Sequence, residues 1–268
     1  MQKVKCVVWD LDHTVWNGIL LEGDDVKVKE DIREVIEILD QRGILQSISS
    51  KNDFDSVKEK LEEFGLWEYF IYPQIHMGVK SGAVREIGKL INIGLDTIVF
   101  IDDQEYERKE VQFGCPEVEV LSPDLGKGIL DLERMNPKYI TCDSKKRRQM
   151  YQNDIRRNQY EKDANLPQEE FLRQLNMVLT INPAQEEDLQ RAEELTVRTH
   201  QLNSTGYVYS YDELKEFTTD DRYDVFIMQL QDTFGDYGKI GVALIEKKPE
   251  LWELKLLLMS CRVMSKGI

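Results

Sequence analysis

Residues 3–14 read KVKCVVWDLDHT. The run to Trp9 is apolar, with little alternation, the pattern of a strand buried on both faces of a parallel sheet. It stops on two carboxylates, Asp10 and Asp12, at i and i+2. In open α/β sheets the ligand site lies outside the carboxyl ends of the strands. Two carboxylates there converge where the chain turns, one able to attack an electrophile and the other to carry a proton. Asp10 is therefore the candidate nucleophile and Asp12 its acid/base partner.

The same grammar continues outward. Residues 31–42 form an amphipathic helical pattern ended by Gly43, and residues 44–49 form a second strand. Residues 53–64 are helical, with Asn52 or Asp53 as N-cap and Gly65 beyond the end. A short strand is expected at 69–72, a helix at 80–90, a buried strand at 97–101 (TIVFI), a helix at 105–113 and a last strand at 118–121. Strands alternating with helices predict a parallel sheet covered on both faces, an α/β fold.

Each further strand end carries chemistry. TIVFI runs into Asp102 and Asp103, hard oxygen donors suited to Mg²⁺. A metal held by Asp10, Asp12, Asp102 and Asp103 would offset the charge of Asp10 and of an incoming phosphate. The second strand ends at Ser49-Ser50, followed by Lys51 and Asn52 at a helix N-terminus, where hydroxyl and N–H donors suit an anion. Lys80 precedes a helix and supplies a point positive charge. Taken singly, an Asp-x-Asp is as well read as a solvated turn, Ser50 as an N-cap and Lys80 as a surface lysine. All of them in this order, each beside a strand end, form a phosphate site.

The gaps are short. Asp12 to Ser50 holds a hairpin (residues 16–28, WNGILLEGDDVKV), one helix and one strand, and Ser50 to Lys80 holds a helix and a short strand. Neither has room for a large cap domain. Such a site stays open, so water exclusion must come from the substrate or a partner. That favours a large substrate, such as one tethered to a protein.

The second half changes character. Residues 143–174 are polar and helical, a connector carrying the basic run at 145–148 and the pair Arg156-Arg157. Residues 175–181 return to strand and 185–200 to helix, and strands follow at 225–230, 240–245 and 253–259. This order predicts a second, mixed α+β domain over 175–268, after a first domain over 1–142. The last strand ends at Cys261. A cysteine in an apolar strand is ordinarily a small core residue. Arg262 beside it would favour a thiolate, and His200 at a helix end would serve as its base.

The gross numbers bound the class. The chain has 268 residues, 41% hydrophobic and 32% charged, with a formal net charge of −15. That charge argues against a nucleic-acid binder. No apolar run reaches membrane-spanning length, and the chain enters a strand pattern with no signal peptide ahead of it. Four cysteines without C-x-x-C spacing indicate a reduced, cytoplasmic chain rather than a disulfide or zinc framework.

Asp10-Leu11-Asp12-His13-Thr14, Ser50, Lys80 and Asp102-Asp103 resemble the four signature motifs of the haloacid dehalogenase superfamily. The resemblance implies a Rossmann-like fold, an aspartyl-phosphate mechanism, and Mg²⁺ held by Asp10, the backbone carbonyl of Asp12, and Asp102, with Asp103 nearby. It implies that Thr14 supports the loop, while Ser50 and Lys80 hold phosphoryl oxygens. The stretches WDLDHTVW (9–16), SSKND (49–53), FIDDQEYER (100–108), RTHQLN (198–203), FGDYGKIG (234–241) and LMSCRVM (258–264) are similar to FkbH-like proteins, the subfamily IIIC members of polyketide pathways. This implies a second domain like the GCN5-type acetyltransferases, which would normally run on past such a last strand, so that here it is either cut short or a reduced variant. It also implies a reaction. A three-carbon unit from 1,3-bisphosphoglycerate is dephosphorylated, carried as a D-glyceryl thioester on Cys261, and loaded onto the phosphopantetheine thiol of an acyl carrier protein. The basic run at 145–148 and Arg156-Arg157 would then dock that acidic partner. Two other readings remain open: a phosphatase acting on a small molecule or phosphoprotein, and a non-catalytic scaffold that binds carrier proteins.

Overall fold

β1 (Cys6–Trp9) is the central strand of a five-stranded sheet. It pairs in parallel with β4 (Leu45–Ser50) on one side and β6 (Ile98–Ile101) on the other. Beyond them lie β5 (Gln74–Ile75) and β7 (Glu119–Leu121), also parallel, giving the order β5-β4-β1-β6-β7. All four residues of β1 are buried, as its unbroken apolar run requires. The register sets Trp9 opposite both Ile48 and Ile101. The residues that follow these three, Asp10, Ser49-Ser50 and Asp102, therefore emerge together at the carboxyl edge of the sheet.

The computed structural model describes residues 3–164, 166–199, 202–260 and 263–264. Two compact units divide the chain, Met1–Arg148 and Gln149–Ile268. In the first, α1 (Glu30–Gln41) buries Ile32, Val35, Ile36 and Leu39 at helical spacing. Each such side chain contributes roughly 1.5–3 kcal/mol on burial, so this stripe anchors the helix to the sheet. Gly43 ends the helix at φ +70°, and a Cβ there would lie 2.6 Å from the carbonyl oxygen of Ser144. Only glycine meets both demands. α2 (Phe54–Glu63) is capped by Asp53, which accepts from the Ser56 N–H at 2.9 Å. α3 (Lys80–Ile91) and α4 (Glu105–Gly114) complete the layers. The hairpin between Asp12 and α1 is a small ribbon of β2 (Trp16–Asn17) and β3 (Lys27–Val28).

The strand expected at 69–72 forms differently. A 3₁₀ turn occupies Trp67–Tyr69, Phe70 makes a single bridge to Gln46, and the ladder begins at Gln74. Tyr72 turns through φ +49° just before Pro73, which has no N–H to donate, so regular pairing starts only beyond it.

Helices α5 (Cys142–Lys145), α6 (Arg147–Ala164) and α7 (Gln168–Gln174) occupy the polar stretch. The second unit carries an antiparallel sheet, β11-β10-β9-β8, built from β8 (Val178–Pro183), β9 (Tyr223–Asp232), β10 (Gly235–Lys247) and β11 (Trp252–Met259). α8 (Glu186–Arg198) and α9 (Tyr211–Thr219) pack on it through Leu189, Ala192, Leu195 and Leu214. α9 was not expected from the sequence. Its signal was a capping box: Ser210 accepts from the Glu213 N–H, while Glu213 accepts from the Ser210 N–H at 2.8 Å. No helix among the described residues is long and apolar enough to cross a membrane.

Candidate active site

Asp10, Asp102 and Asp103 each place a carboxylate oxygen within 4.8 Å of the others. Asp10 leaves β1, and its N–H donates to the Ile101 carbonyl at 2.9 Å, which ties it to the neighbouring strand end. Asp102 leaves β6 and is fully buried. Its Oδ1 accepts from the Gln104 N–H at 2.8 Å, ahead of α4.

Lys80, the first residue of α3, inserts its ammonium between two of these carboxylates. Nζ donates to Asp10 Oδ1 at 2.6 Å and to Asp102 Oδ2 at 2.5 Å, and lies 5.7 Å from the centre of the Phe100 ring. Burial alone would lower the lysine pKa. The charges of Asp10 and Asp102 outweigh it and hold the ammonium above its usual range. For Asp10 burial raises the pKa, Lys80 opposes and Asp102 adds to the rise, so its carboxyl stays well above the ordinary carboxylate range. Asp103 is raised by burial and then by Asp102, with His13 opposing.

One ammonium against three carboxylates leaves the cluster short of positive charge. Oδ1 of Asp103 is buried with no hydrogen-bond partner. An all-oxygen donor set with an unpaired buried oxygen and unbalanced charge calls for a hard divalent cation, and Mg²⁺ fits it.

Thr14 is fully buried beneath this group. Its hydroxyl accepts from the Asp103 N–H at 3.0 Å and lies 3.4 Å from Asp10 Oδ2. It is a loop support and not a phosphate ligand, because its oxygen is already committed inside the protein. Asn52 is likewise committed: it donates to Asp12 Oδ2 at 2.9 Å. Lys51 turns aside to Glu107, 2.7 Å away. Neither Lys51 nor Asn52 is turned to a phosphate here. Ser50 is buried at the end of β4, beside the same sheet edge. Asp12 stands apart from the cation cluster as a side chain. Its Oδ1 accepts from Trp16 Nε1 at 2.8 Å and from the Leu20 N–H at 3.1 Å.

The chain resembles several known phosphatases at modest identity. No family model matches it. Among curated proteins it is 24% identical to human magnesium-dependent phosphatase 1, over 37% of this chain and 68% of that one. Among solved structures it is similar to the N-terminal part of the protein BF1531 from Bacteroides fragilis, which contains a phosphatase domain complexed with Mg. The identity there is 28%, the TM-score 0.45, and the match covers 50% of this chain. This chain spans only 40% of the length of that Bacteroides structure. It is also 21% identical, with a TM-score of 0.35, to 3-deoxy-D-manno-octulosonate 8-phosphate phosphatase from Moraxella catarrhalis, over 60% of this chain and 91% of that one. The first unit is a Rossmann-like parallel α/β sheet with a carboxylate cluster at its strand ends.

Within that fold, two residues had their roles missed in the sequence although both lie in quoted motifs. Arg108 donates to the carbonyls of Asp102 and Asp103, at 2.6 and 2.8 Å, and so clamps the loop that carries the cluster. Trp16 fixes Asp12, as above. Sequence spacing alone does not distinguish a buried aromatic that packs from one that also donates.

Half of the expected basic docking residues are spent inside the protein. Arg147 is buried and donates to the Gly43 carbonyl. Arg148 forms a two-pronged pair with Asp40, at 2.9 and 3.2 Å, and lies over the Tyr69 ring. Arg157 is buried against Asp154 and Asp232. These three arginines are structural cations, whereas Lys145, Lys146 and Arg156 of the same stretch are exposed. His200 and Cys261, the expected thioester residues, lie outside the described residues.

Proposed function

We propose that the first unit is a Mg²⁺-dependent phosphohydrolase working through an aspartyl-phosphate on Asp10. The buried Asp10–Lys80–Asp102 arrangement carries this reading. It sets a carboxylate at a strand end beside a buried ammonium, a nucleophile with a positive charge ready to balance an incoming phosphoryl group. Bound Mg²⁺, held by Asp10, Asp102 and Asp103, would supply charge neutralisation for the phosphoryl group. Asp10 attacks phosphorus as the bond to the leaving oxygen breaks, and that oxygen takes a proton from Asp12. Water then attacks the aspartyl-phosphate, giving its proton to Asp12 and releasing phosphate from Asp10. Ser50 donates to a phosphoryl oxygen, and Lys80 balances the charge that accumulates. The test is phosphate release from an aryl phosphate with Mg²⁺, lost in Asp10→Asn. An inactive wild-type chain, or an active Asp10→Asn, sinks the reading.

The finer reading is glyceryl transfer to an acyl carrier protein, with the second unit an acetyltransferase-like domain. It rests on the FkbH-like motifs, and one observation favours it. Three of those motifs meet at one end of the second unit's sheet. Asn203 bridges Leu258, the Met259 N–H donates to the Leu202 carbonyl at 3.0 Å, and the Ser260 N–H donates to the Ile240 carbonyl at 2.6 Å. Backbone bonds thus bring residues of three motifs, far apart in sequence, to one end of the sheet. Incubating a pantetheinylated carrier protein with this chain, Mg²⁺ and 1,3-bisphosphoglycerate should add a glyceryl mass to the pantetheine arm, and Cys261→Ala should abolish it. Phosphate release without any mass gain leaves a simple phosphatase.

A further inference from the structure

We infer that Asn52 is a positioning residue that leaves Oδ2 of Asp12 as the oxygen exchanging a proton with the leaving group. The inference rests on the phosphohydrolase reading and specifies how its acid/base carboxyl is held.

A carboxyl oxygen has two lone pairs. On Asp12 Oδ1 both are taken, one by the Trp16 indole N–H at 2.8 Å and one by the Leu20 backbone N–H at 3.1 Å. A proton placed on that oxygen would have to displace a donor. On Oδ2 only one lone pair is taken, by Nδ2 of Asn52 at 2.9 Å. Among the described residues, the remaining lone pair is the only position on the carboxyl where a proton can ride without breaking a bond that the fold supplies.

The Asn52 amide is itself oriented. Its Oδ1 accepts from the Asp53 N–H at 3.3 Å, so its NH₂ group must face Asp12. The residue is almost fully buried, at 3% exposure, and Trp16 is wholly buried. The three donors come from three places: the β2 ribbon, the loop after it, and the loop between β4 and α2. Together they fix the rotation of the carboxyl plane. In the transfer step the proton leaves Oδ2 for the departing oxygen as the P–O bond breaks. In the hydrolysis step a proton from water returns to the same oxygen.

A residue that only braces the loop would slow all substrates alike. One that orients the proton donor slows those whose leaving group needs the proton. The experiment compares kcat/KM, which isolates transfer to Asp10, on phenyl phosphate and 2,4-dinitrophenyl phosphate with saturating Mg²⁺. Asn52→Leu keeps the volume and removes the donor. Its kcat/KM on phenyl phosphate is expected to fall by about 10- to 100-fold, with a loss below about threefold on the dinitrophenyl ester, whose leaving oxygen needs no proton. Asn52→Ala removes the same donor without adding bulk and carries the same expectation, so a folding failure of either variant leaves the other to decide. Equal losses on both esters would overturn the inference while leaving the phosphohydrolase reading intact. A wild-type chain that cleaves neither ester would overturn both.

Discussion

The ammonium of Lys80 lies 2.6 Å from Oδ1 of Asp10, and both groups are buried. The same ammonium is 2.5 Å from Asp102. It neutralises one carboxylate's worth of charge and holds the other in place. Lys80→Met would leave two buried carboxylates facing each other. Breaking a buried pair in this way costs about 3–5 kcal/mol. Urea unfolding should show that loss in metal-free buffer and a smaller one in millimolar Mg²⁺, because the cation offsets part of the exposed repulsion. A loss of equal size in both buffers would mean that the metal does not occupy the Asp10–Asp102 side of the cluster.

Asp10 trades stability for chemistry. Its folded pKa is raised, chiefly by burial. A raised group lends stability below its unfolded value, about 3.9, and loses it as pH climbs through the folded value. Metal-free Asp10→Asn should therefore be more stable than the wild type at neutral pH, though inactive. The proton on Asp10 also competes with metal, so Mg²⁺ affinity in the wild type should tighten as pH rises. Calorimetric titration at several pH values checks this. A flat affinity, or an Asp10→Asn chain no more stable than its parent, would contradict it.

Much of this site was legible because its determinants are local. An apolar run that stops on a carboxylate reveals a strand and its end together, so Asp10, Asp102 and the parallel sheet could be read from β1 and β6. Lys80 and Ser50 were legible as the next residues in the same pattern. The roles of Asn52 and Lys51 were not. Each is decided by a partner 40 or 56 residues away, and nothing in the spacing says whether a polar side chain faces a ligand or the protein. The burial of Arg147, Arg148 and Arg157 was hidden for the same reason: a charge run does not show which of its members are buried.

Thr14 tests how tightly the metal loop is held. Its hydroxyl is the acceptor for the Asp103 N–H, in a fully buried position. Thr14→Val keeps the shape and strands that N–H, at a cost of about 1–3 kcal/mol. Thr14→Ser keeps the acceptor and should cost less than that. Half-saturating Mg²⁺ for phosphate release should rise in the valine variant and stay near wild type in the serine variant. Equal Mg²⁺ requirements in both would show that the Asp103 loop is held by Arg108 alone.

The second unit depends on a buried charge of its own. Arg157 donates to both oxygens of Asp232, at 2.6 and 3.0 Å, and the Tyr237 hydroxyl donates to the same carboxylate at 2.9 Å. The guanidinium lies 4.2 Å from the Tyr237 ring. Burial opposes the charge on Asp232, but the Arg157 bonds and charge prevail and hold its pKa below the usual range. A depressed carboxylate contributes stability that is present above its unfolded value, about 3.9, and is lost as pH falls through the folded value. Asp232 also accepts the Phe234 and Gly235 N–H groups at the turn between β9 and β10, so its protonation would loosen the hairpin as well as the ion pair. Acid unfolding followed by near-ultraviolet circular dichroism should therefore reach the second unit below about pH 4. Asp232→Asn should shift that transition to higher pH and lower stability at pH 7 by up to about 3–5 kcal/mol, because buried Arg157 keeps only Asp154 as a counter-charge. An acid transition that does not move in Asp232→Asn would assign the acid sensitivity to another carboxylate.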